Sequence, residues 1–575
     1  MTNVYREFVK QVLSERDIPQ VWSQNVMNQA KQAPASVREE DRRGRRDLTR
    51  LPFVTIDGEN SRDFDDAVYV EKTANGWQLY VAIADVSWYV RPDTPVDREA
   101  FIRGNSVYFP EVMVAMLPEA YCTGICSLNP HEDRLCIVCE MDIARNGRMK
   151  SYQFYPAVIN SHDRLTYHEV QDMISGKQQI INRHREVYPY VYHLYETAEA
   201  MRLISAQNRP LSLQNTEPVY QLSSDGSKVK SLTIEKQTEA HWMIEACMVA
   251  ANNAAARFIR EHRMDLIYRS EDGPFPEKLT EFRAMISSLP ENLDGGLNPS
   301  LKDIGSFLKS IKGKPYEDSL IKLLLRHQTK AVYTTAYTDH YLLGISEYTH
   351  FTSPIRRYVD LTVHRIIRRC IEMDREKSQS SRAVPEKRVA SRTTASASRR
   401  QGVSGFMRGF FGKLTGGKAA EQGLGNAAPG YALIDKVVPG NTQHITPAAS
   451  LKVYSRDYLE QVVQHCNETE KRAQDAWFQI NKWLNAAFMS DKIGQTFSGT
   501  IIATKEFGLF VHLAEYCMDI FVYIGTLGNE RFNFFPANYV IRGQNSYNSY
   551  HIGQSVDVEI AEVNVAEGKV RGILK

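Results

Sequence analysis

Apolar residues change their spacing several times along this chain, and each change predicts a different kind of element. Residues 1 to about 50 read as short helices followed by a linker of mixed charge, Arg38 to Arg50. From Leu51 the pattern turns to β, in LPFVTID, DAVYVEK and WQLYVAIADVSWYV, the last with the β-branched and aromatic content of buried strands. A helical block follows near 190–205. Another covers Glu239 to Glu261, with Trp242, Ala246, Val249, Ala250, Asn253 and Ile259 near one face. Helices are also predicted at about 276–290, 316–330 and 358–372. Between Tyr454 and Leu484 the helical period returns, through Leu459, Val462, Cys466, Ala473, Trp477, Ile480 and Leu484. Past Gly494 come the short strands FSGTIIAT, FGLFVHL, MDIFVYI and SVDVEIAEVN, about the length of a five-stranded barrel.

The stretch from about 374 to 450 has neither period. It is rich in Ser, Arg and Ala and then glycine-punctuated, a composition that buries too little apolar surface to offset its ordering entropy. An exposed insertion is expected at 373–450, its aromatic-basic middle GFMRGFFGKLTGGK being either a solvated loop or a contact for RNA or lipid.

A chain of 575 residues is too long for one core, so several domains are expected. No apolar run is long enough for a membrane span, the N-terminus lacks a signal-peptide core, and the eight cysteines lack metal-type spacing. These features suggest a cytoplasmic protein with reduced thiols. The formal charge is only +2, yet Arg375 to Lys418 holds 11 Lys/Arg against 2 Asp/Glu, leaving the remainder net negative. Any RNA-binding surface in the folded part must therefore come from local arrangement.

The strongest chemical signal is Asp57-Gly-Glu-Asn-Ser-Arg-Asp63-Phe-Asp65-Asp66, four aspartates within ten residues after a hydrophobic strand. Crowded carboxylates repel, and hard oxygen ligands suit Mg²⁺ or Mn²⁺. A solvated acidic turn is the alternative. An EF-hand is excluded, because its twelfth position is Val68. Far downstream lies Tyr348-Thr-His-Phe-Thr-Ser-Pro-Ile-Arg356-Arg357-Tyr358. There the turn or helix start at Thr352, Ser353 and Pro354, with two guanidinium forks, can receive phosphate. His350 reads either as a general base or as a hydrogen-bonding structural residue.

The Asp57–Asp66 block, the stretch NSVYFPE…MLPE…CSLNP from Asn105 to Pro130, and YTHFTSPIRRY together resemble the catalytic (RNB) domain of the ribonuclease II/R family, over about residues 51–372 and 451–488. The last segment resembles the OB barrel that ends those enzymes. The resemblance implies an α+β catalytic domain, a mixed sheet surrounded by helices, at 51–372 with a final helix at 451–490. A C-terminal all-β OB-fold RNA-binding barrel would follow at 494–575. It implies hydrolysis of single-stranded RNA from the 3′ end to nucleoside 5′-monophosphates by a monomeric enzyme, with Mg²⁺, or Mn²⁺, as cofactor. Asp57, Asp63 and Asp66 match the family's metal-holding carboxylates, Asp65 its most critical aspartate, and Arg356 the arginine that stabilises the scissile phosphate. Tyr167 and Tyr220 match an aromatic pair stacking on the last base, and Tyr108 an aromatic farther up the RNA channel. Glu245 and Glu468 match acidic residues near the terminal nucleotide or the channel. In the barrel, Phe507, Phe510 and His512 resemble the base-stacking face of such folds. No residue declares itself as a reader of the 2′-hydroxyl.

Two departures stand out. Residues 1–50 are too few for the cold-shock domains that usually precede this catalytic domain, so RNA binding is expected to be weaker and more salt-sensitive. Asp339-His340-Tyr341-Leu342 replaces a glycine-flanked histidine. The competing reading is a catalytically silent RNA-binding scaffold, which has no need of mutually repelling carboxylates.

Overall fold

The computed structural model describes residues 3–208, 216–382 and 454–575. The chain divides into one unit of Met1–Asp374 with Leu451–Lys575 and a second of Arg375–Ser450. The expected insertion lies outside the described residues, apart from the end of the helix Tyr358–Arg382.

A seven-stranded mixed sheet organises the first unit. Its order is Arg46–Asp47, Met149–Asn160, Asp133–Ala144, Gly76–Ala84, Asp66–Thr73, Val54–Asp57, Asp163–Thr166. The pairings at the two edges are parallel and the inner ones antiparallel. Gly76–Ala84 reads as an almost unbroken apolar run because it is central and buried along most of its length. The helix Tyr188–Asn208 packs on Asp66–Thr73 and Gly76–Ala84, and the helix Glu239–Glu261 on Gly76–Ala84 and Asp133–Ala144.

Of the six residues expected near one face of the second of these helices, Trp242, Ala246, Val249, Ala250 and Asn253 do share one, where they line a cavity of about 460 Å³ beside the helix Tyr188–Asn208. Ile259 departs from them and is buried with Ala240, Met243, Ile244, Cys247, Ala251, Ala254, Ala255 and Phe258. The helix carries small or apolar residues on both faces, so periodicity alone does not say which face the sheet takes.

A second core joins the helix Val4–Glu15, the hairpin of Thr216–Leu222 and Val229–Lys236, and the C-terminal barrel. Tyr5 is fully buried there, 5.8 Å from the ring of Trp483. Expected as one of the short helices ahead of the charged linker, this helix is a packed element. A third core sits among Pro276–Ile286, Leu301–Ile311 and Glu317–Arg326, of which the middle helix has no counterpart in the sequence reading. The 34-residue helix Arg456–Met489 bridges cores: Leu459, Val462 and Cys466 belong to the first, Ala476, Ile480 and Leu484 to the second.

The barrel closes in the order Thr496–Lys505, Gly508–Leu513, Met518–Tyr523, Lys569–Leu574, Ser555–Asn564. Its first turn depends on Gly508, whose φ is +152° and where a Cβ would lie 2.2 Å from the Val522 carbonyl oxygen. A small three-stranded sheet, Phe532–Phe535, Val540–Gly543 and Ser549–Tyr550, stands beside the barrel and was not anticipated. Among the described residues no helix is long and apolar enough to cross a membrane.

Candidate active site

Strand ends bring the first motif together. Asp57 closes Val54–Asp57 and Asp66 opens Asp66–Thr73, so the loop between them returns its carboxylates to one place. Parallel pairing of Asp57 with Thr166 sets Tyr167, the first residue of the helix Tyr167–Ile174, beside them. The loop is held from outside. Arg164 Nη2 donates to the carbonyls of Gly58 and Glu59, the Phe64 N–H donates to Ser127 Oγ, and the Ala84 N–H donates to the Asp65 carbonyl.

The other two motifs arrive as backbone. The Ile355 N–H donates to Asp65 Oδ1 at 2.8 Å, and Arg356 Nε lies 3.5 Å from Asp65 Oδ2. The Ser106 N–H donates to the Arg356 carbonyl and the Tyr358 N–H to that of Gly104. Three stretches distant in sequence thus form one wall around Asp65, which is 5% exposed.

The electrostatics of this wall are unbalanced. The Asp65 carboxyl is raised well above the ordinary aspartate range, chiefly by burial, against a smaller pull from Arg356 and the Ile355 N–H. Burial also raises Asp57, with Asp63 adding to it, and Asp66, with Asp57 adding to it. Arg356 opposes the shift in both. Asp57 Oδ2 and Asp65 Oδ2 are buried without hydrogen-bond partners, although Asp65 Oδ2 does face Arg356. A cation satisfies such a set, and its donors are of the hard oxygen type that magnesium and manganese take. Among the described residues, however, no three acidic, histidine or cysteine side chains converge into a metal-holding group. Asp63 is engaged elsewhere, accepting from the Tyr108 hydroxyl at 2.6 Å.

That bond relocates Tyr108. Expected farther up the channel, it stands at the carboxylates and is 45% exposed. The Thr352–Pro354 turn also differs from expectation. Thr352 and Ser353 are buried, the Ser353 N–H is spent on Asp360, and the helix begins at Tyr358. Arg357 forms a two-bond fork with Asp360, so of the two arginines it is Arg356, its side chain 44% exposed and braced by Ser353 Oγ, that faces outward. His350 shares a 2.8 Å hydrogen bond with the Tyr333 hydroxyl, and burial with Arg357 and Arg269 nearby holds it well below the usual histidine range. Its surroundings favour the structural role.

Tyr167 stacks on His241, with ring centroids 3.9 Å apart and planes 18° from parallel. Tyr220 is not brought to it. That ring is 6% exposed in the second core and its hydroxyl meets Asn481 and Asn485 of the last long helix. The expected base-stacking pair is therefore not assembled. Glu245 is exposed, one turn beyond His241 on the same helix. Glu468 is exposed on Arg456–Met489 and accepts from Gln464, while its neighbour Glu470 holds Arg269 through two hydrogen bonds.

On the barrel, Phe507 is 54% exposed and shares an aromatic cluster with Phe510 and Phe521, at 6.4 and 5.8 Å. His512 departs from this face. It is 4% exposed, hydrogen-bonded through Nδ1 to Asp519 and through Nε2 to Lys322 of the helix Glu317–Arg326, which covers it. The sequence reading missed Phe521 and His241. The first had a signal in the alternation of MDIFVYI, and the second in its place three residues after the helix cap Thr238.

Comparison with known proteins agrees with this architecture. The RNB domain model matches residues 45–373 and the S1 RNA binding domain model residues 490–575. Ribonuclease R of Escherichia coli (strain K12) is 35% identical over 97% of this chain and 61% of its own length. That of Vibrio cholerae is 34% identical over 96% of this chain and 60% of its own length. The chain thus spans about three fifths of these curated relatives. The solved structure of Mycoplasma genitalium RNase R in complex with ribose methylated single-stranded RNA superposes with a TM-score of 0.79 at 25% identity, over 99% of this chain and 78% of that one. With its carboxylate loop and arginine turn inside the matched region, this chain belongs to the RNB domain family and carries an S1 RNA binding domain at its C-terminal side.

Proposed function

We propose that this chain is a 3′-to-5′ exoribonuclease that hydrolyses single-stranded RNA stepwise to nucleoside 5′-monophosphates, acting as a cytoplasmic monomer in RNA turnover or 3′-end processing. The observation that carries the reading is Asp65, buried between the Ile355 N–H and Arg356 with Asp63 and Asp66 beside it. A scaffold has no use for three carboxyls, those of Asp57, Asp65 and Asp66, pushed upward by burial and mutual repulsion.

Asp57, Asp63 and Asp66 would hold Mg²⁺, or Mn²⁺, which when bound supplies a more acidic water and neutralises phosphate charge. Arg356, braced by Ser353, offers its guanidinium to the scissile phosphate, whose negative charge grows toward the transition state. Asp65 fixes Arg356 from behind and positions the terminal nucleotide. Tyr108 and Tyr167 present rings for the bases, and the Phe507, Phe510 and Phe521 cluster holds RNA farther from the scissile bond.

The test uses 5′-labelled single-stranded RNA with Mg²⁺, comparing wild type, Asp65→Asn, and wild type with chelator. A ladder shortening from the 3′ end only in the first reaction supports the reading. Intact RNA in every reaction, with RNA binding retained, overturns it in favour of a silent scaffold.

A further inference from the structure

The carboxylates and Arg356 leave one feature of the site unexplained, the imidazole stacked on Tyr167. The cap of its own helix fixes its tautomer. The Thr238 backbone N–H donates to His241 Nδ1 at 3.2 Å. A backbone N–H can only donate, so Nδ1 uses its lone pair and the ring proton resides on Nε2. The Thr238 hydroxyl, 2.9 Å from the same nitrogen, must then donate as well. Burial, with His168 adding to it, pulls the ring below the ordinary histidine range and keeps it neutral. The outcome is a neutral N–H donor held by a helix cap and by a stacked tyrosine. Among the described residues nothing accepts from Nε2.

A 3′-terminal nucleotide offers three kinds of partner. Phosphate is best met by a charged fork such as Arg356. Bases are met by ring faces, and Tyr167 keeps one face turned away from His241. A single neutral donor matches a neutral oxygen, and the ribose 2′-oxygen is the acceptor that distinguishes RNA from DNA. We propose that His241 is a specificity-determining residue, donating its Nε2–H to the 2′-oxygen of the nucleotide held against Tyr167. The assignment rests on the exoribonuclease reading for its substrate class, and on the cap geometry for the donor.

Binding in chelator separates the two. Fluorescence anisotropy would measure the affinity of the full chain for single-stranded RNA oligonucleotides that differ only in whether the 3′-terminal nucleotide is ribo or 2′-deoxy. The proteins are wild type, His241→Phe, which keeps a ring on Tyr167, and His241→Glu, which keeps a capping-box acceptor for Thr238 but has no donor. Wild type is expected to prefer the ribo end by about three- to tenfold, the range of one neutral hydrogen bond. Both variants are expected to bind the two ends alike, whatever their overall affinity. A variant that retains the wild-type preference, or a wild type with none, overturns the assignment. Turnover of the same oligonucleotides with Mg²⁺ is read separately. Wild type that keeps the ribo preference without shortening RNA removes the nuclease reading and leaves the His241 assignment standing.

Discussion

Asp65 and Ile355 lie 290 positions apart, yet a carboxylate oxygen of the first accepts the backbone N–H of the second at 2.8 Å. This contact presents Arg356, the next residue, to the carboxylates. It also gives Asp65 two tasks that mutation can separate. Asparagine keeps an acceptor for Ile355 and loses the charge. Asp65→Asn should therefore retain a melting temperature close to wild type while kcat falls by about 10²- to 10³-fold, the usual range for removing one charge-stabilising group. Asp65→Ala should in addition cost about 1–3 kcal/mol of stability by leaving the Ile355 N–H buried and unpaired. Thermal melts beside single-turnover kinetics check both.

Tyr108 competes for Asp63. Its hydroxyl donates 2.6 Å to a carboxylate that the proposed chemistry assigns to a metal ion. Tyr108→Phe should lower the Mg²⁺ concentration giving half-maximal rate by about two- to fivefold, because one neutral hydrogen bond no longer has to be displaced. A metal titration with an unchanged or raised midpoint would place the hydroxyl on the productive side of the reaction instead.

Asp57 and Asp66 both bind protons more readily in the folded chain than unfolded. The stability linked to each is fully present below the ordinary aspartate value near pH 4. It is lost as pH rises through the folded values, about 6 for Asp57 and about 8 for Asp66. In chelator the melting temperature should fall as pH is raised from about 5 to about 8, and added Mg²⁺ should flatten that slope. Melts that are flat with pH in chelator would mean the loop relaxes and hydrates its carboxylates.

Barrel residues divide by role. Phe507→Ala removes an exposed ring and should weaken single-stranded RNA binding by about 5- to 100-fold with little change in stability. His512→Ala removes a buried partner of Asp519 and Lys322, so it should cost about 1–3 kcal/mol and leave RNA affinity of the folded protein nearly unchanged. Filter binding and denaturant melts on the two variants decide it.

What could be read from the chain before its fold follows a physical line. Asp57, Asp63, Asp65 and Asp66 are crowded within one loop, so their proximity was legible without any tertiary contact. The strands and the long amphipathic helices were legible from their periods. Burial imposed by a distant element was not. His512 lies two residues from Phe510 on the same face of one strand, and the helix Glu317–Arg326 laid over His512 separates their fates. Tyr220 looks like any strand tyrosine until Asn481 and Asn485 reach its hydroxyl. Arg356 and Arg357 are adjacent and chemically alike, and the difference between them is the carboxylate of Asp360.

The helix Arg456–Met489 also has a meaning for the order in which the protein is made. Leu459, Val462 and Cys466 complete the core that surrounds the carboxylates, and Glu470 anchors Arg269. None of these exists on the ribosome until 393 or more positions after Asp66 have been joined. The helix Val4–Glu15 waits longer still, since Trp483, against which Tyr5 and Phe8 pack, is made 475 or more positions later. A nascent chain therefore carries all four aspartates long before it has the last residues of the core behind them.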